Sequence, residues 1–75
     1  MNLSRVREMI KEKMNLPCSF VYRGPRNQVE EFDGRIIQCF PSIFVILTTD
    51  NVIKSFTYSD YIIKNIKIIS CKQSY

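Results

Sequence analysis

The sequence predicts a mainly β protein: a small five-stranded SH3-like or Sm-like barrel with an N-terminal α-helix. Three observations carry this prediction. Apolar residues repeat every three or four positions as far as about residue 15 and every second position from Cys18 onward, the change from helical to strand periodicity. The segment Phe40-Pro41-Ser42-Ile43-Phe44-Val45-Ile46 sets a proline, with its fixed φ and no N–H, ahead of five unbroken apolar residues from Ile43 to Leu47. That run suits a strand covered on both faces and is too short for an independent helix. Downstream, Phe56-Thr57-Tyr58-Ser59-Asp60 closes the next strand with residues that favour local turns.

The helix is expected over about residues 2–15, where Leu3, Val6, Ile10 and Met14 share one stripe. Asn2 or Ser4 is placed to cap its first turn, Glu8 to pair with Arg5 or Lys11, and Arg7 and Lys11 to form a basic flank. Pro17 disfavours helical geometry at the residue before it, so Asn15-Leu16-Pro17 is the stop. A helix this short must dock to be stable, on the barrel or on another subunit.

The barrel is expected over about residues 18–70. Cys18 to Tyr22 reads as the first strand, and Arg23-Gly24-Pro25-Arg26-Asn27 as a loop. A long second strand runs from Val29 to Cys39 with a bulge or bend at Asp33-Gly34, which lets one strand belong to both halves of a barrel. The third strand is Ile43 to Leu47, with Phe44 and Ile46 on one face and Ile43, Val45 and Leu47 on the other. Thr48-Thr49-Asp50-Asn51 makes a hairpin turn into a fourth strand, Val52 to Tyr58. Ser59 to Ile62 reads as one helical turn, and a fifth strand follows over about residues 65–70, with Ile66 and Ile68 on one face and Lys67 outward. Cys71 to Tyr75 reads as a polar tail.

At 75 residues the chain is expected to be a single domain, residues 1–75, burying only about 60% of its unfolded surface. Such a domain needs support beyond its core. Three cysteines, Cys18, Cys39 and Cys71, are an odd number without C-x-x-C spacing, which argues against a disulfide framework. With no histidine, a zinc site is not expected either. Self-association remains, so a homo-oligomer is expected. The opening Met1-Asn2-Leu3-Ser4-Arg5 lacks the apolar core of a signal peptide. No apolar run approaches the roughly 20 residues of a membrane span. Free cysteines fit a reducing compartment. The expectation is a cytoplasmic protein with no membrane association. A net charge of +4 leans mildly toward anionic partners.

Catalytic chemistry is sparsely represented. Without histidine no Cys–His or Ser–His pair can form, and Cys39, inside an apolar segment, reads as a buried small hydrophobe rather than a nucleophile. Glu30, Glu31 and Asp33 form the acidic cluster, but their spacing is not that of a calcium loop, and a solvated strand edge accounts for them. Gly24 has no glycine-rich run or Gly-Lys-Ser/Thr ending around it and makes no phosphate loop. No catalytic residue, metal site or cofactor is expected. Two kinds of binding surface remain. Tyr22, Arg23, Arg26, Arg35 and Lys54 supply the aromatic and basic groups of a nucleic-acid face if loop and hairpin lie together. The aromatics Phe20, Phe40, Phe44 and Phe56 are expected in the core instead. Ile43, Val45 and Leu47 form an apolar face that cannot point into the barrel while Phe44 and Ile46 do, so it must meet the helix or a protein partner.

The residues Gly34-Arg35-Ile36, then Phe40-Pro41-Ser42-Ile43-Phe44-Val45-Ile46, then Phe56-Thr57-Tyr58-Ser59-Asp60 resemble the motifs of the Veg family of small bacterial proteins. The family pattern is G-x-I, an aromatic-P-S-V-F-V-I segment, and S-Y-S-Y-x-D. The resemblance spans roughly residues 3–70, with its specific part in 34–60. It implies an SH3-like barrel in the cytoplasm of low-GC Gram-positive bacteria. It also implies a non-enzymatic role, since the family is described as stimulating biofilm formation through gene expression. The combined expectation is a non-catalytic regulatory binding protein acting through contact with a protein that controls transcription. The alternative is a small basic barrel that binds nucleic acid directly through its Arg23–Arg26 loop.

Overall fold

The computed structural model describes residues 3–72. Helix α1 (Leu3–Glu12) is followed by β1 (Cys18–Arg23), a tight turn at Pro25–Asn27, β2 (Val29–Cys39), β3 (Ile43–Thr48), β4 (Ile53–Thr57), α2 (Tyr58–Ile62) and β5 (Ile66–Cys71). The protein is mainly β, with five antiparallel strands in one sheet ordered β4-β3-β2-β1-β5. In that order the sheet is not closed: β4 and β5 are its two ends and do not pair with each other.

The pairing within β2 shows how an open sheet still encloses a core. Residues Val29 to Gly34 pair with β1, whereas Gly34 to Cys39 pair with β3. Gly34 lies at the changeover, opposite both Cys18 and Thr48. The expected bend at Asp33-Gly34 is therefore a change of partner within a continuous strand. The register slip falls further on, between Ile36 and Gln38. Gly34 is needed for closeness rather than for backbone freedom. A Cβ placed on it would lie 2.5 Å from the Leu47 carbonyl oxygen and 2.9 Å from Thr48 Cα.

The curled inner face carries Phe20, Ile36, Phe44, Ile46 and Ile66, all fully buried. Aromatic rings run through it from Phe20 to Phe32 (centroids 5.4 Å apart), Phe56 (6.1 Å), Phe44 (6.1 Å) and Tyr58 (5.6 Å). Phe40, expected in the core, is exposed in the turn before β3, where its N–H donates to the Ile43 carbonyl. Tyr58, read from the sequence as a strand end, is buried instead, and its hydroxyl donates to the Phe40 carbonyl at 2.7 Å. Helix α1 covers the core, with Val6 and Ile10 fully buried. Its apolar stripe thus docks within its own chain. Ser4 lies inside the helix rather than at its cap, and Asn2 lies outside the described residues. Among the described residues the one ion pair is Lys54–Glu30, so the expected Glu8 pairs do not form. The helix ends early, with Lys13 N–H bonding Ile10 O and Met14 N–H bonding Lys11 O. Asn15 then turns to a φ of 66° and donates its N–H to Ile36 O at 2.9 Å, delivering the chain to the sheet.

The turns follow from local chemistry. Asn51 takes φ 64° in the β3–β4 connection, the left-handed position such hairpins need, and asparagine tolerates it. Thr48 is buried there but satisfied, its hydroxyl accepting the Val52 N–H at 3.1 Å. At the other end of β4, Thr57 and Asp60 form a reciprocal capping box that starts α2.

The cysteines depart most from expectation. Cys18 and Cys71, opposite each other on β1 and β5, form a disulfide across a sequence separation of 53. Cys39 stays free. Spacing along the chain could not show this pairing, because it arises from strand register. Cys71 is accordingly the end of β5 and not part of a tail, while residues 73–75 lie outside the described residues. With two of the three cysteines joined, cysteine content no longer argues for a reducing compartment.

Two predictions follow from this architecture. Gly34→Ala forces β2 and β3 apart and should cost about 1–3 kcal/mol of stability, read as a lowered midpoint in urea with an unchanged slope. Reduction of the Cys18–Cys71 bridge, or Cys71→Ser, releases a loop whose closure is worth about 4 kcal/mol in the chain-entropy model. Thermal melts with and without reductant should therefore separate for the parent and coincide for the variant.

Candidate functional site

Strand alternation gives β3 two different faces. Phe44, Ile46 and Thr48 point into the core, and Ile43, Val45 and Leu47 point out. The outward three are half-buried. The helix does not cover them, since α1 caps the inner side through Val6 and Ile10. On the same outer face, Ile53 of β4 lies opposite Leu47 and is 59% exposed. The other half of that face is polar: Ser19, Asp33 and Ser70 form one row and Glu31, Val21 and Lys67 another. Within the first row Ser19 Oγ donates to Asp33 Oδ1 at 2.8 Å. An apolar strip on β3 and β4 thus borders a hydrogen-bonded polar field.

The expected basic face is only partly assembled. Tyr22 lies opposite Glu30 on the inner side, and its ring sits 5.1 Å from that of Phe56. Lys54 reaches the same place, donating to Glu30 Oε1 at 2.9 Å and lying 5.3 Å from the Phe32 centroid. Its charge is thus balanced by a carboxylate and by a ring face. Arg23 ends β1, and Arg26 sits in the adjoining turn at φ 61°, an uncommon conformation for its residue type. Arg35 lies opposite Leu47 on the outer face, apart from the other four. Tyr22 and Lys54 thus reach between strands that do not pair, to Phe56 and to Glu30 and Phe32 respectively.

Of the acidic cluster, Glu30 serves Lys54, Asp33 serves Ser19 and Glu31 is exposed. Among the described residues no group of three or more His, Cys, Asp or Glu is placed to hold a metal ion. No described helix is long and apolar enough to cross a membrane.

Beneath α1, Cys39 and Tyr58 form a pair that sequence spacing does not reveal. Burial pushes the Cys39 thiol above its ordinary 9.0, opposed by its hydrogen bond with Tyr58 and by the Lys11 charge. Burial likewise raises the Tyr58 hydroxyl above 10.0, helped by the charge of and hydrogen bond with Cys39 and opposed by Arg7. A thiol held protonated is a poor nucleophile. Both groups bind their protons more tightly folded than unfolded. Their stabilisation is whole below pH 9.0 and is lost as pH rises past 9.0 and then 10.0 toward the folded values. Urea midpoints should therefore decline on the alkaline side, and Cys39→Ala should make that decline shallower.

Fold and surfaces define a small, mainly β protein with a helix-capped open sheet, an apolar outer strip and a mixed aromatic and charged mouth. The chain belongs to the biofilm formation stimulator VEG family, whose model matches residues 1–69. No curated protein matches it.

Proposed function

We propose that this chain is a non-catalytic regulatory binding protein that promotes biofilm formation by contact with another protein, through the outer face of β3. The observation that carries this reading is the outward row Ile43, Val45 and Leu47, which neither α1 nor the core covers. An apolar row continued by exposed Ile53 is the kind of surface a protein partner buries. Family membership supplies the link to biofilm formation. In this reading the whole chain acts as one domain, its curled sheet is the open form of an SH3-like or Sm-like barrel, and its partner is a cytoplasmic protein controlling transcription.

A second reading rests on the loop after β1. Arg26 is held at positive φ beside Arg23 and near Tyr22, and backbone strain of this kind concentrates at binding sites. Direct nucleic-acid binding there would use Arg23 and Arg26, since Lys54 is engaged by Glu30 and Arg35 lies on the other face. The protein reading is favoured because its residues form one uninterrupted surface.

Complementation separates the two. Cells lacking this chain are supplied with the parent, with Val45→Lys or with the Arg23→Ala/Arg26→Ala pair, and biofilm mass is measured. The expected result is loss with Val45→Lys and retention with the double alanine variant, each first checked for a parental circular dichroism spectrum. Loss confined to the arginine variant, together with salt-sensitive binding of labelled single- or double-stranded nucleic acid by the parent, would instead establish the second reading.

A further inference from the structure

We infer that the groove on the outer face where β1 begins binds a phosphorylated sugar, either free or as part of a nucleotide. The groove holds about 510 Å³, a volume within the range of small-ligand sites. Arg35, Lys72 and Asp33 are its charged lining residues, and Ser19 and Ser70 supply hydroxyls. It borders the apolar row at Leu47 but needs no partner protein and no part of the biofilm reading to be occupied.

Strand register sets the lining out in two rows. Ser70, Ser19 and Asp33 follow one another across β5, β1 and β2. Two residues further along each strand, and so on the same face, come Lys72, Pro17 and Arg35. The Lys72 N–H donates to the Pro17 carbonyl at 2.8 Å, and the neighbouring Cys18–Cys71 disulfide fixes that end of β5 beside β1. Arg35 and Lys72 therefore flank Pro17 at two strand spacings, roughly 10 Å between backbones. Two such long side chains can converge on one anion across that gap, and proline between them leaves the space open. Neither cation is spent elsewhere, since the one ion pair among the described residues is Lys54–Glu30. A guanidinium beside an ammonium suits a phosphate, which arginine binds through paired N–H donors.

Asp33 selects against a bare anion. Its Oδ1 accepts the Ser19 hydroxyl at 2.8 Å, which leaves acceptor capacity on the carboxylate for donors of a ligand. Free phosphate meets repulsion from that charge. A phosphate joined to a hydroxyl-bearing sugar satisfies both rows, with its charge on Arg35 and Lys72 and its hydroxyls on Asp33 and Ser70.

Backbone amide chemical shifts of the full chain, followed at low salt, test the inference with ribose 5-phosphate, adenosine monophosphate, inorganic phosphate and ribose as probes. Ribose 5-phosphate should move the amides of Ser19, Asp33 and Arg35, and should bind more tightly than phosphate or ribose alone. Tighter binding still by adenosine monophosphate identifies a nucleotide as the occupant, and equal or weaker binding identifies the free sugar phosphate. Arg35→Ala should weaken ribose 5-phosphate by about tenfold. Lys67→Ala removes the same charge outside the groove and should leave binding unchanged. Asp33→Asn should strengthen inorganic phosphate and shrink the preference for the sugar phosphate, a change that damage to the fold would not produce. All three positions are exposed, so the fold should survive, as circular dichroism will verify. No shift with ribose 5-phosphate, or phosphate binding as tightly as the sugar phosphate, would overturn the inference. So would equal weakening by Arg35→Ala and Lys67→Ala, or an unchanged preference in Asp33→Asn. Biofilm mass is not among these readouts, so failure here and failure of the functional reading remain distinguishable.

Discussion

The close approach of β3 to β2 at Gly34 is the constraint on which the rest of the molecule depends. One strand serves two partners there, β1 on one side and β3 on the other. Any side chain on that residue would meet the Leu47 carbonyl. Because the backbones can touch, β2 carries its two halves into different parts of the curled sheet. That curl brings Phe32 of β2 within ring contact of Phe56 of β4, although the two strands are not neighbours in the sheet. Aromatic packing of this kind adds to the area each ring buries. A flat sheet would leave the same rings in water.

Closure is then completed by side chains. Tyr22 against Phe56, and Lys54 against both Glu30 and Phe32, span the mouth that hydrogen-bonded strands span in a closed barrel. Helix α1 seals the core with Val6 and Ile10, and the chain just beyond it is tied to Ile36 through the Asn15 N–H. The disulfide fixes the far end of β5 to the start of β1. In a domain of this size each of these devices replaces core that a longer chain would supply. The sheet edges stay free, and free edges and an uncovered apolar row are the raw material of binding.

The chemistry beneath the helix is quiet for the same reason. Cys39 sits against Tyr58 in surroundings that favour the neutral thiol, so its role is packing and hydrogen bonding. At the mouth Lys54 is paired with Glu30. What this VEG family member presents outward is an apolar strip on β3 and β4 beside a polar field.

Much of this was legible in the residues themselves. The change of period at Cys18 placed one helix before the strands, and the strict alternation of β3 assigned Phe44 and Ile46 inward and Ile43, Val45 and Leu47 outward. Local rules of this kind depend on backbone geometry alone; Gly34 was legible as a special position in β2, but its close approach to Leu47 and Thr48 was not. Four features were not legible: the open sheet, the Cys18–Cys71 bridge, the exchange of Phe40 for Tyr58 in the core, and the placement of Arg35 away from the other basic residues. Each depends on which strands become neighbours and in what register, and a shift of one residue moves every side chain to the opposite face. The sequence by itself determined the elements and their inner and outer faces, because periodicity is a local property. Tertiary structure alone decided which residues meet across strands and which edges stay open, because those are set by packing among segments distant in the chain.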